Sequence, residues 1–189
     1  MRCRRKGEMT MQFNVSGLLK GPVGDTREYD FEERVLEHLT EDTELVRPIS
    51  GHVQLMRTQN GILVTGTVHT RAEMVCSRCL EPAYYDLDIH IEEEYYPTVE
   101  VYTGAALPWR EFTDDEALLI DAQHILDITE VVRQDLIISL PMKPLCSENC
   151  KGLCPVCGAN LNEGPHECEE EEIDPRWAAL VGFKVAESP

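Results

Sequence analysis

The sequence predicts an α+β fold: an antiparallel β-sheet meander, a helix packed on it, and a cysteine-rich C-terminal segment folded back onto a hairpin tip. Three observations lead there. Residues 62–74 and 85–92 alternate apolar and polar side chains with period two, as half-buried strands do. Residues 127–140 carry apolar side chains at helical spacing. Seven of the eight cysteines fall into two clusters, one at 76–79 and the other at 146–168.

The elements follow in order. Met1-Arg2-Cys3-Arg4-Arg5-Lys6 is basic and lacks an apolar continuation, so residues 1–10 are expected to be a flexible basic arm rather than a signal segment. Met11 to Leu19 reads as a strand, with Phe13 and Val15 on one side. Gly21-Pro22-Val23-Gly24-Asp25 is a turn. Phe31 to Leu39 fits either a short helix or a strand end. Val53 and Leu55 belong to a strand that turns at Asn60-Gly61, a hairpin signal. In the next strand Ile62, Val64, Val68, Ala72 and Met74 face one way, while Thr65, Thr67, His69, Arg71 and Glu73 face the other. After Cys76-Ser77-Arg78-Cys79-Leu80-Glu81-Pro82 a third strand buries Tyr85, Leu87, Ile89 and Ile91 and exposes Asp86, Asp88, His90 and Glu92. His69 and His90 lie on the polar sides, where they can pair across the sheet or stand as surface residues.

Residues 97–113 read as a loop, with Pro97, Gly104 and Pro108. The helix expected from Asp127 to Leu140 has Asp127 and Glu130 spaced as a capping box and Pro141 as its stop. A last short helix is expected after the acidic run at 167–174. Asp174 is its cap, Pro175 its first residue, and Trp177, Leu180 and Val181 share a face that would dock on the core. The chain thus divides into the arm at 1–10, an α+β core at 11–145, and the cysteine-rich segment with its helix at 146–189.

Composition limits function. The net charge is -18, from 17 Lys and Arg against 35 Asp and Glu. Such a chain repels phosphate backbones and anionic membranes unless its few cations cluster. Arg71, Arg78, Lys143 and Lys151 flank the cysteine motifs and are the candidate cluster for contact with RNA or a partner. No run of about 18 apolar residues is present, so no membrane-spanning helix is expected. The expected location is the cytoplasm, where thiols stay reduced and clustered cysteines favour metal over disulfide.

Cys76 and Cys79 form C-x2-C, a spacing that lets both thiolates of one turn reach one ion. Cys146, Cys150, Cys154, Cys157 and Cys168 form C-x3-C-x3-C-x2-C-x10-C. Four thiolates in a tetrahedral array suit zinc, so one or two Zn2+ ions are expected, and the C-terminal segment is read as zinc-bearing. Two pairings satisfy the spacing. Cys76 and Cys79 can join Cys146 and Cys150, leaving Cys154, Cys157 and Cys168 for a second ion, with His166 to complete its shell. Alternatively, the C-x2-C turns face each other as in a zinc ribbon. Cys3 belongs to neither set. A structural role is expected, because no H-E-x-x-H or comparable motif offers a base beside an open metal position.

These motifs resemble the YceD family, the large ribosomal RNA subunit accumulation proteins. The resemblance rests on Cys-Ser-Arg-Cys-Leu at 76–80 and on the helix from Asp127 that ends in Leu140-Pro141. Cys150-Lys-Gly-Leu-Cys-Pro-Val-Cys-Gly-Ala-Asn-Leu-Asn162 and Asp174-Pro-Arg-Trp-Ala-Ala-Leu180 complete it. It spans roughly residues 12–183. The resemblance implies a bacterial or plastid factor, without enzymatic activity, that promotes accumulation of large-subunit ribosomal RNA and assembly of the large subunit. Its partner would be a large-subunit precursor, met through its RNA or through a basic ribosomal protein. Relatives that keep only the first cysteine group imply the Cys76, Cys79, Cys146, Cys150 pairing. The acidic run at Glu169 to Glu172 fits a solvated loop, and fits mimicry of RNA as well. Two other classes remain on the residues alone: a zinc-stabilised adaptor unrelated to ribosomes, and a thiol redox protein or zinc hydrolase.

Overall fold

The computed structural model describes residues 11–33, 39–40 and 42–168. The expected basic arm, the acidic run from Glu169 and the helix after Asp174 lie outside the described residues. The fold is mostly sheet with one main helix. Strands β1 (Gln12–Asn14), β2 (Thr26–Glu33), β3 (Thr43–Leu45), β4 (Ile49–Arg57), β5 (Ile62–Val75) and β6 (Pro82–Pro97) come first. They are followed by β7 (Leu119–Ile120), β8 (Ile125–Asp127) and the helix α2 (Thr129–Ser139), while a single helical turn α1 (Ser16–Leu19) follows β1.

The main sheet has the order β2-β4-β5-β6-β7, with β3 on β5 beyond the end of β4. Its centre is the β5–β6 hairpin, paired without a break from Ile62↔Tyr95 to Val75↔Pro82. The period-two alternation is what permits this length. Ile62, Val64, Val68 and Ala72 are wholly buried, and Leu87, Ile89 and Ile91 nearly so. The four residues between Arg57 and Ile62 make the turn expected at Asn60-Gly61, with the Thr58 amide donating to the Gly61 carbonyl at 3.1 Å. Gly61 is required there, since a Cβ would run into the carbonyl of Tyr95.

The sheet is mixed rather than purely antiparallel. β7 pairs with β6 in parallel, Tyr96 opposite Leu119. Two residues of pairing leave no periodic signal, which is why the sequence reads as a meander alone.

The inner face is covered by α2, by α1 and by the two-stranded ribbon β1–β8, all in one apolar cluster. Met11 to Leu19 is therefore not one strand. Asn14 ends it by accepting the Ser16 amide at 3.2 Å and the Ser16 hydroxyl at 2.8 Å, an Asx turn that starts the helical turn. Leu18 and Leu19 are then both buried, which consecutive residues of a strand on a two-faced sheet are not. Phe31 lies in β2, so its segment begins as a strand end; residues 34–38 are outside the described set.

Helix α2 starts two residues later than the spacing predicts. Asp127 belongs to β8, and its carboxylate accepts the Thr129 amide at 2.8 Å. Glu130 does not complete a capping box. Its carboxylate takes Arg133 instead, at 2.6 and 2.9 Å. Val131, Val132 and Leu136 face the sheet, each burial contributing roughly 1.5–3 kcal/mol. Leu140 turns extended ahead of Pro141, as residues before proline do. The loop expected over residues 97–113 begins one residue later, since Pro97 ends β6 opposite Ile120, and it contains a 3-10 turn at Trp109–Glu111. Among the described residues no helix is long and apolar enough to cross a membrane.

Candidate metal centres

The β5–β6 hairpin ends in a six-residue tip, 76–81, and the tip is a knuckle. The Cys76 amide donates to the Glu81 carbonyl at 2.8 Å, and the Leu80 amide to the Cys76 carbonyl at 3.0 Å. The Arg78 amide points at the Cys76 sulfur, at 3.5 Å. Closing the turn forces Leu80 into the left-handed region, φ 63°.

The chain returns to this tip after α2. Ser77 donates its amide and its hydroxyl to the Pro144 carbonyl, each at 2.8 Å. The Tyr85 hydroxyl donates to the Leu145 carbonyl at 2.9 Å and accepts the Leu145 amide at 2.6 Å. Residue 146 is thereby delivered to the knuckle. The Cys79 and Cys146 sulfurs lie 3.4 Å apart, and those of Cys76 and Cys150 lie 3.8 Å apart. All four sulfurs fall within 4.8 Å of one another. A tetrahedron with metal–sulfur bonds of about 2.3 Å has edges of about 3.8 Å, so the set fits a thiolate-bound metal ion. It is too wide for disulfides, whose sulfurs sit about 2.05 Å apart.

A second knuckle repeats the first. The Cys154 amide donates to the Ala159 carbonyl at 2.8 Å, and the Gly158 amide to the Cys154 carbonyl at 2.9 Å. Gly158 has φ 76°, at the place Leu80 holds in the first knuckle. Cys154, Cys157, His166 and Cys168 bring their ligand atoms within 4.8 Å of one another, with the Cys157 sulfur 3.1 Å from Nε2 of His166. Each group can hold a metal ion. The two C-x2-C turns thus belong to different groups, so the zinc-ribbon pairing is not formed. Cys3 lies outside the described residues.

The setting of the two groups differs. Cys76, Cys79 and Cys150 are buried in a small cluster with Ala83, Tyr85, Leu145 and Leu153. In the second group only Cys154 is buried, while Cys157 and His166 are exposed. In both, the thiols do not ionise alike. Burial opposes ionisation of Cys76, but the amides of Cys79, Arg78 and Cys146 bring it down to about 6. The amides of Cys157 and Val156 bring Cys154 to about 6 as well. The Glu81 amide lowers Cys79, but burial and the neighbouring sulfurs outweigh it and push it up to about 12. Converged thiolates repel one another, and a dication removes that repulsion.

The expected cationic cluster is only partly available. Arg71 lies 3.7 Å from Asp86 and over the Tyr84 ring, with 5.4 Å to its centroid. Arg78 donates to the Cys150 carbonyl at 2.8 Å, so it closes the first centre. Lys143 and Lys151 are exposed. His69 and His90 do not pair with each other: His69 stands opposite Asp88, 2.6 Å away, and His90 opposite Thr67. Tyr85, expected only as a core-facing strand residue, also holds Leu145 through its hydroxyl, and Asn162 reaches the first group. Asn162 donates to the Cys150 sulfur at 3.4 Å. It was visible only as the polar end of the motif that begins at Cys150.

The family profile described as "Large ribosomal RNA subunit accumulation protein YceD" matches residues 64–184, from β5 through both ligand groups. An uncharacterised protein of Mycobacterium tuberculosis is 33% identical over 128 residues, which cover 68% of this chain and 58% of that protein. The maize chloroplastic "Large ribosomal RNA subunit accumulation protein YCED homolog 1" is 27% identical over 135 residues, 61% of this chain and 46% of that protein. The uncharacterised protein YlbN of Bacillus subtilis is 26% identical over 159 residues, 80% of this chain and 86% of that protein. The match therefore spans only 58% of the mycobacterial relative's length. No solved structure gives a significant match.

Proposed function

Because this chain belongs to the YceD family, we propose that it is a non-catalytic factor that promotes accumulation of large-subunit ribosomal RNA and assembly of the large ribosomal subunit. The observation that carries this reading is the family match, whose span of residues 64–184 takes in the hairpin tip and both ligand groups.

The metal in this reading is zinc, one ion per group. Thiolate-rich sets of four favour it, and the fit of the first group to a tetrahedral shell supports it. Zinc bound there would supply a cross-link at the end of a long hairpin, where apolar burial is thin. Four protein ligands leave no open position for substrate, which supports a structural role over hydrolysis. Burial of Cys76, Cys79 and Cys150 supports it over thiol exchange, which needs an accessible thiolate.

The partner is a precursor of the large subunit. A basic ribosomal protein suits this surface better than bare RNA. On the outer face of the sheet Asp30, His52, Thr67 and His90 form one cross-strand row, and Glu28, Glu32, Asp88 and Glu92 lie on the same face. With a net charge of -18, that face repels phosphate. The site of action is the cytoplasm or its plastid counterpart.

The test is the ratio of large- to small-subunit ribosomal RNA in cells depleted of this protein. The reading predicts a selective fall in the large-subunit RNA, restored by the wild-type gene and not by Cys76→Ser. An unchanged ratio under full depletion contradicts it.

A further inference from the structure

The two ligand groups are joined by a short piece of chain whose hydrogen bonds run between them. Cys150 is the last ligand of the first group and Cys154 the first of the second. Between them Gly152 has φ 78°, and a Cβ there would stand 3.1 Å from the Arg78 carbonyl. The chain is thus pressed against the first knuckle, which holds it through Arg78 and the Cys150 carbonyl. It then goes out and back as a small hairpin whose tip is the second knuckle. Leu153 bridges Asn160, and the Leu161 amide donates to the Gly152 carbonyl at 2.9 Å.

This return path sets Asn162 beside Cys150. Its Oδ1 accepts the Lys151 amide at 2.8 Å, which leaves Nδ2 facing the other way, and Nδ2 donates to the Cys150 sulfur at 3.4 Å. Asn160 fixes it further: its Oδ1 accepts the Asn162 amide at 3.0 Å and Nδ2 at 2.8 Å. A two-stranded hairpin of this size does not hold itself in water. Its larger apolar side chains are few, with Leu153 and Leu161 half-buried and Val156 exposed, and its tip is a knuckle that a metal would tie to His166 and Cys168.

We propose that Asn162 is a positioning residue that couples the two metal centres: metal in the Cys154, Cys157, His166, Cys168 group orders the hairpin that aims Asn162 at Cys150, and so tightens metal binding in the first group. The inference rests on the reading of both groups as zinc centres. A donor to a ligating sulfur spreads its charge and opposes its protonation, and loss of such outer partners weakens metal binding by about 10–100-fold. Linkage makes the effect reciprocal, so the first ion strengthens the second equally.

The experiment follows zinc release from the reduced full chain to a chromogenic chelator, with metal content measured beforehand. Asn162→Asp keeps the acceptor for the Lys151 amide and removes the donor to sulfur; Asn162→Ala controls for the added charge. Both should still carry two zinc ions, and both should release the slow one about 10-fold faster. Cys157→Ser should carry one ion and release it faster by a similar factor. Adding Asn162→Ala to Cys157→Ser should then change little, because the donor is already misplaced. With cobalt in place of zinc, the sulfur-to-metal absorption of the first centre should shift in the Asn162 variants, which general loosening of a surface loop would not produce. Unchanged slow release in both Asn162 variants overturns the coupling and leaves the zinc reading intact. A wild-type chain that takes up no zinc overturns both.

Discussion

Leu80 holds the one knuckle position where the backbone and the side chain disagree. Its φ of 63° matches the 76° of Gly158 in the second knuckle, yet it carries a branched side chain that is 65% exposed. Left-handed backbone costs a non-glycine residue roughly 1–2 kcal/mol, while glycine adds about 0.5–1 kcal/mol of chain entropy to the unfolded state. Strain relief is the larger of the two. Leu80→Gly should therefore raise the unfolding free energy of the metal-loaded protein by a few tenths to about 1 kcal/mol in a urea titration. A loss of stability would mean that the Leu80 side chain packs against something that holds the tip. The surrounding residues are set by simpler needs. Cys76 and Cys79 fit the needs of a metal shell, Ser77 meets the Pro144 carbonyl, and Arg78 meets the Cys150 carbonyl.

Among the elements, β5, β6 and α2 were legible because each repeats its pattern many times. A hairpin of fourteen pairs with predominant alternation and three turns of apolar stripe outweigh any local ambiguity. The elements misread were the short ones. β1 passes into α1 because of one Asx turn at Asn14, and β7 exists only because β6 runs past it. The candidate centres divided the same way. Spacing singled out the candidate ligands, but which four converge depends on Tyr85 and Pro144 docking residue 146 on a hairpin tip far away in sequence, and no local pattern contains that. At α2 the capping-box spacing was present, but Arg133 competes for Glu130 and wins with two hydrogen bonds. Those bonds hold the Glu130 carboxyl down at about 2. A depressed carboxylate contributes stability above its unfolded value of about 4.3, and that contribution disappears as pH falls toward about 2. Both side chains are 44–45% exposed, so solvent screening leaves about 0.3–0.5 kcal/mol. The stability difference between wild type and Arg133→Ala should have that size at pH 7 and shrink through this acidic window. A difference that stays constant would assign it to packing of the arginine stem.

For the whole molecule, the β5–β6 hairpin is a long lever with its base in the apolar core and its tip in the ligand groups. The core cluster reaches Ala72 and Leu87, and a separate small cluster of Cys76, Cys79, Ala83 and Cys150 takes over at the tip. Between α2 and that tip the chain has left the core, so what holds residues 144–168 in place is the knuckle contacts and the two ligand sets. Structural zinc binding is folding energy, so this end of the molecule should be ordered only when loaded. The acidic sheet face would then stand beside a fixed tip. The most direct measurement is the metal content of the reduced full chain by native mass spectrometry, with Cys76→Ser and Cys157→Ser alongside. Two zinc ions in the wild type and one in Cys157→Ser, with the ion of the first group lost from Cys76→Ser, is the predicted result. A folded wild-type chain that carries no metal, or variants that keep the wild-type count, would contradict it.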